Sequence, residues 1–325
     1  MRNNKKIAVI GAGIVGLYLA KRLNEKGFEV VVFEKNKEIG QKPCTGLISE
    51  RIFEFIPGAS KIAKRKVDYL IAHFPRKNIQ IKFNPPLYLF ERKELDNLVA
   101  VLAKESGIEL RLGKKIDKLP EGFFRIIGCD GALSATRELL GLSTPFLKLG
   151  LQYFHKEDSN SEVEIWPKRR VSGFIWRVPR EDTVEYGILG KPKNSYQVFI
   201  HFLNERGIEI RKENLKAALV PSGIVLPKHK KITLCGDAAG LTTPSSGGGV
   251  IWGLKSAEFL IEEFPDFLSY RKKVFRFFAP KIGKTKQIMN LIYKVFDSNL
   301  SFLLPKKVEI DTNLFYSFLR YKIYL

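Results

Sequence analysis

The chain has 325 residues, with 55 Lys or Arg against 34 Asp or Glu, a formal net charge of +21. Hydrophobic residues at 45% and charged residues at 27% are ordinary globular values, which excludes disorder over most of the length. Three cysteines exclude a disulfide-built secreted fold, and the basic excess suits polyanions such as nucleic acid, anionic lipid or phosphorylated substrates, or a generally basic surface with no specific partner.

The N-terminus, Met1 to Lys6, leads only to a short apolar run, so no signal peptide is read. No apolar stretch reaches the roughly 18 residues of a membrane span. The expectation is a soluble, cytoplasmic protein whose membrane contact, if it has any, is peripheral. His73, His155, His201 and His229 are scattered and no CxxC occurs, so no metal site is predicted.

Residues 6–34 carry a complete βαβ pattern. Ile7–Ile10 is a short buried strand. Gly11, Gly13 and Gly16 form a GxGxxG run, and Leu17, Ala20 and Leu23 then recur at helical spacing to Gly27. Val30–Phe33 is a second strand, ending in Glu34 with Lys35 beside it. Gly11 permits the tight turn, Gly13 lets a pyrophosphate approach the backbone, and Gly16 lets helix and strand pack closely. The helix N-terminus offers free N–H groups to phosphates, and Glu34 can accept from the adenosine ribose. This predicts a dinucleotide site for FAD or NAD, which the acidic residue alone does not distinguish.

Three later segments bear on that choice. Glu91 and Arg92 open an amphipathic helix with Leu95, Leu98, Val99 and Leu102 on one face. Residues 126–137 read as a strand followed by Cys129-Asp130-Gly131. Residues 232–254 read as a strand followed by Gly236-Asp237, then Pro244 and Gly247-Gly248-Gly249, with Val250 opening a second helix. A carboxylate at a strand end can hold a ribityl hydroxyl, and a glycine-rich helix start can face the pyrimidine edge of a reduced flavin.

These motifs resemble the FAD-dependent p-hydroxybenzoate-hydroxylase-like superfamily, over nearly all the chain to about residue 265. Within it the sequence looks most like the geranylgeranyl reductase family. Lys42-Pro43-Cys44-Thr45-Gly46 is similar to the Pro-Cys-x-Gly stretch of those reductases, and Gly173–Pro179 resembles their Tyr-x-Trp-x-Phe-Pro strand around Trp176. Phe174 stands where the motif has Tyr, and Val178 where it has Phe, so one phenol donor is missing from the cavity wall. The resemblance implies FAD as cofactor, Arg92 near its phosphates, Asp130 and Gly131 in a second FAD motif, and Gly236 and Asp237 in a third.

By the same resemblance the fold is α/β, a Rossmann-type FAD-binding domain (1–64, 91–143 and 228–270) interleaved with an antiparallel-sheet substrate domain (65–90 and 144–227). A basic, helical C-terminal tail (271–325) follows, with Pro280 expected to break or kink its first helix. Its Lys, Arg and aromatic residues suit either an anionic bilayer surface or a cap packed on the FAD domain. Nucleic acid is not expected, since no recognition motif accompanies the charge.

Cys44 is a candidate proton donor to an alkene carbon, or a small cavity-shaping residue. Phe174 and Trp176 share one strand face and suit an apolar substrate tunnel, or an ordinary sheet core. Cys129 and Cys235 read as packing residues. The leading expectation is an FAD-dependent reductase of isoprenoid double bonds, with ferredoxin or NAD(P)H as electron donor. The alternatives are a flavin monooxygenase or halogenase acting on an apolar small molecule, and a non-catalytic flavin- or isoprenoid-binding protein.

Overall fold

The computed structural model describes residues 3–157, 162–297, 305–312 and 321–324. In chain order the elements are β1 (Asn3–Ile10), α1 (Ile14–Glu25), β2 (Phe28–Phe33), β3 (Leu47–Ser49), α2 (Ile52–Phe55), β4 (Ala63–Phe74), β5 (Lys77–Phe90), α3 (Arg92–Glu105), β6 (Glu109–Arg111), β7 (Arg125–Gly128) and α4 (Ala135–Leu139). They continue with β8 (Phe146–His155), β9 (Glu164–Lys168), β10 (Gly173–Pro179), β11 (Val184–Gly190), α5 (Pro192–Asn204), β12 (Lys216–Ser222), β13 (Ile232–Leu234), α6 (Val250–Glu263), α7 (Phe267–Asp297), β14 (Lys307–Asp311) and β15 (Tyr321–Tyr324).

Five parallel strands form the first sheet, in the order β13-β7-β1-β2-β6. Its central strands are apolar at consecutive positions because both faces are covered. Ile7 and Val9 point into a core with Leu17, Leu23, Val99 and Leu260, where α1 packs against α3 and α6. Ala8 and Ile10 point the other way, into a smaller core with Phe33, Ile126 and Phe123.

The second sheet follows the order β12-β8-β11-β10-β9-β4-β5-β14-β15, with β3 also paired to β5. Most pairs are antiparallel; β4–β9 and β5–β14 are parallel. On its outer face α5 buries Phe199, Phe202 and Leu203 against Val171, Ile175 and Ile188. The same face carries a polar cluster. Tyr186 donates from its hydroxyl to Glu157 at 2.7 Å, and Arg177 pairs with Glu157 at 2.7 Å. Burial, reinforced by the Glu157 carboxylate, pushes the Tyr186 phenol up to about 12. The inner face of this sheet looks into a cavity.

The C-terminal region departs from the simple helical tail read from the sequence. α7 runs unbroken through Pro280, with Phe278 and Ile282 both buried on either side of it. Pro280 removes one backbone donor, but this packing keeps the helix going. Beyond α7 the chain returns as strand: β14 lies parallel to β5, with Lys307 opposite Gln80 and Asp311 opposite Asn84, and β15 pairs with β14. Over residues 267–278 α7 turns aromatic side chains inward: Phe267, Tyr270 and Phe278 are fully buried and Phe277 meets Phe259 edge-on. Among the described residues, no helix is long and apolar enough to cross a membrane.

Candidate active site

The two sheets enclose one large cavity of about 1880 Å³. One end is built by the glycine-rich turn after β1. Gly11 has φ +102°, and a Cβ there would lie 2.5 Å from the Cys129 carbonyl oxygen. At Gly16 a Cβ would lie 2.0 Å from the Gly11 oxygen, so that position is closed to any side chain. Gly13 is different: its φ of −74° is open to any residue, and a Cβ would meet nothing within 4 Å. The space beside it opens on the cavity at the N-terminus of α1, which has no side-chain cap and no acidic residue in its first turn. An anion fits there, met by free N–H groups and the positive end of the helix dipole.

Glu34 closes the far side of the turn. Its carboxylate accepts the Ala12 N–H at 2.8 Å and the Asn36 N–H at 2.9 Å, one on each oxygen. Further lone pairs remain for sugar hydroxyls. Lys35 is exposed at the cavity rim beside it. Asp130, at the end of β7, also borders the cavity but is largely occupied locally. It accepts from the Ser134 hydroxyl at 2.6 Å and from the Thr136 N–H at 2.9 Å, and so holds the start of α4.

A second helix start faces the cavity. Gly247, Gly248, Gly249 and Val250 line it, and α6 has neither a side-chain cap nor an acidic residue in its first turn. Asp237 lies against this turn, so that a Cβ on Gly249 would come within 2.6 Å of its carboxylate, and it is ion-paired with Lys42. Two uncapped helix N-termini, open space at Gly13 and carboxylates at strand ends together fit an extended dinucleotide with an anionic ring edge.

The Cys44 loop crosses the middle of the cavity. Gly46 has φ +73° and sits on Phe90, whose carbonyl oxygen would be 2.0 Å from a Cβ there. Beside Phe90, Arg92 starts α3 and pairs with Asp96 at 2.8 Å. Burial disfavours the Arg92 charge, but Asp96 and a contact with the Cys44 sulfur hold its pKa above the ordinary value. The Cys44 Sγ also accepts the Gly46 N–H at 3.4 Å. Arg92 is thus held by Asp96 and set beside the thiol.

Phe174 and Trp176 face the cavity from β10 with ring centroids 5.8 Å apart. Trp176 lies over Gly187, its cross-strand partner on β11, where a Cβ would be 2.1 Å from Cζ2 of the indole. The indole N–H donates to Glu185 at 2.8 Å. Glu185, Gln152 and Arg180 form a buried polar group behind the Cys44 loop that no motif singles out. The one sequence signal is an acidic residue inside an otherwise apolar strand, five positions after an arginine. Cys129 and Cys235 terminate the neighbouring strands β7 and β13, with the Cys235 N–H donating to the Gly128 oxygen at 2.8 Å. Cys235 is fully buried, 3.1 Å from the Ser256 hydroxyl.

Fold and site together define a flavoprotein oxidoreductase. Residues 6–143 match the FAD dependent oxidoreductase family, which indicates FAD as the cofactor. The chain is an FAD-dependent oxidoreductase related at low identity to geranylgeranyl reductases. It is 28% identical to an uncharacterized protein of Methanocaldococcus jannaschii, over 95% of this chain and 90% of that protein. It is 24% identical to digeranylgeranylglycerophospholipid reductase 2 of Methanothermobacter thermautotrophicus, over 75% of this chain and 73% of the relative. In structure it is similar to a geranylgeranyl bacteriochlorophyll reductase-like protein from Thermoplasma acidophilum (TM-score 0.78, 19% identity, 93% of this chain and 90% of the other). It is also similar to the flavin-dependent brominase Bmp2 (TM-score 0.71, 14% identity, 92% and 89% covered). At these identities the structural likenesses establish the shared fold.

Proposed function

We propose that the chain reduces carbon–carbon double bonds of isoprenoid chains carried on membrane lipids or on a prenyl diphosphate. The observation that carries this reading is the second arm of the cavity. Beyond Cys44 and Trp176 it continues between Leu70, Ala72, Ile81 and Phe83 of the second sheet, Ile288 and Met289 of α7, and Val308 and Ile310 of β14. Such a wall offers a long apolar substrate no polar handle and excludes water. Lys281 and Lys284 of α7 line the same arm and suit an anionic headgroup.

When bound and reduced, FAD supplies the hydride. The helix starts at Gly13 and Gly249 take the pyrophosphate and the anionic flavin edge, and Glu34 takes ribose hydroxyls. Phe174 and Trp176 orient the prenyl chain across the Cys44 loop. Cys44 gives a proton to the alkene carbon, and the Arg92 guanidinium and Gly46 N–H stabilise the sulfur that is left. Electrons come from an outside donor, a ferredoxin or NAD(P)H. Contact with an anionic membrane rests on exposed charges such as Lys272, Arg276 and Lys286, because Phe267, Tyr270 and Phe278 of α7 are spent on the core.

The test is anaerobic. The purified flavoprotein is reduced with dithionite and mixed with a geranylgeranylated lipid. Flavin reoxidation with a product gaining two hydrogens per turnover is the expected result. A flavin that stays reduced until oxygen enters rejects the reductase and favours an oxygen-using enzyme or a binding protein.

A further inference from the structure

Glu185 is fully buried on the cavity side of β11, opposite Val178. Four donors from three separate stretches of chain converge on its carboxylate. The Oε1 atom accepts from the Thr45 hydroxyl at 2.8 Å, the Gln152 amide at 2.7 Å and the Trp176 indole at 2.8 Å. The Oε2 atom accepts from Arg180, which closes an ion pair. Arg180 goes further: it donates to the Thr45 carbonyl at 2.5 Å and to Glu91 at 3.1 Å. Its Nε–H has no acceptor among the described residues. Evolving a buried ion pair at this point is expensive for stability, and well-packed apolar residues would fill the same volume at lower cost.

The pair reaches Cys44 by two routes. Along the chain, Thr45 is its immediate neighbour and is gripped at the hydroxyl by Glu185 and at the carbonyl by Arg180. Through α3, Arg180 holds Glu91, which precedes the Arg92 that contacts the Cys44 sulfur. Trp176, on β10, hangs from the same Glu185 oxygen as Thr45. We infer that Glu185 is a positioning residue: with Arg180 it sets the Cys44 loop in register with Trp176, and so sets where the proton donor stands relative to the bound alkene. This rests on the reductase reading for its catalytic meaning, but the placement of Cys44 is measurable without substrate.

Two variants test it. Glu185→Gln keeps the shape, and its carbonyl can still accept from Trp176, but its amide then faces Arg180 donor to donor. Thr45→Val removes only the hydroxyl and strands no charge, so it answers the question if Glu185→Gln fails to hold FAD. On the FAD-loaded protein, alkylation by iodoacetamide is followed at Cys44 by peptide mass mapping. Cys44 is expected to change its alkylation rate by about threefold or more in each variant, with glutathione in the same mixture as the reference thiol. In the anaerobic assay, reoxidation at saturating lipid is expected to fall about tenfold to a hundredfold, with the half-saturating lipid concentration held. Wild-type alkylation of Cys44 in Thr45→Val, or a loss confined to half-saturation, overturns the inference. If the wild-type protein never reoxidises, the reductase reading fails, and the alkylation ratio alone decides the role of Glu185.

Discussion

Gly13 and Gly16 belong to one motif, yet their surroundings predict opposite consequences of substitution. Gly13→Val places a side chain in open space, on a backbone with φ −74° and ψ 172° that any residue adopts. As a change at the helix N-cap it costs the fold about 1 kcal/mol, which for a chain of this size lowers Tm by about 1–2 °C. The same side chain fills the approach to the α1 N-terminus. Losing two charge-assisted hydrogen bonds to the pyrophosphate, about 1.5–3 kcal/mol each, weakens FAD by roughly a hundredfold to ten-thousandfold. Gly16→Ala instead drives a Cβ to 2.0 Å from the Gly11 oxygen and 3.2 Å from Cys129 Cβ, so α1 must move off β1 and the fold itself suffers. Calorimetry of the apoprotein with a flavin-fluorescence titration separates the two cases. Gly13→Val that binds FAD like the wild type, or that unfolds as readily as Gly16→Ala, refutes the placement of the pyrophosphate.

Cys44→Ala is expected to retain FAD and to slow anaerobic alkene reduction by roughly a hundredfold; unchanged turnover would leave Cys44 a packing residue. The raised phenol of Tyr186 makes the unfolded chain release its proton first as pH climbs, so the stability it contributes is complete below about 10 and lost between about 10 and about 12. Denaturant titrations across that range should show a steeper loss for the wild type than for Tyr186→Phe, and parallel curves would dismiss the raised phenol itself. Because Phe267, Tyr270 and Phe278 of α7 are buried, anionic phosphatidylglycerol vesicles should bind through charge alone. Sedimentation should show binding at low salt and release at high salt; binding that survives high salt would mean apolar insertion.

The cofactor half was legible in the sequence because its signals are local. Strand, glycines, helix, second strand and Glu34 lie within 29 consecutive residues, and each has a steric or hydrogen-bonding reason visible at that spacing. Asp130 was harder to read: a carboxylate at a strand end suggests a ligand, whereas here much of it is used to start α4. Glu185 escaped notice because its four partners come from positions 45, 152, 176 and 180, which only the pairing of β8, β11 and β10 brings together. The strand character of 307–311 was equally hidden, since its partner β5 is remote in sequence and a five-residue strand carries little periodicity.

That remote pairing has a consequence for how the molecule is assembled. The glycine turn, the Cys44 loop and the start of α6 are all made before the ribosome reaches β14, so that end of the cavity can form while the apolar end still lacks a wall. Until residues 305–312 reach the edge of β5, the trough beside Ile81 and Phe83 lies open along one side. A nascent chain at that stage presents greasy surface to whatever is nearby, whether a chaperone or a bilayer. The last stave can then be laid over whatever apolar molecule already occupies the trough, so that the order of synthesis allows filling from the side as well as threading from the mouth.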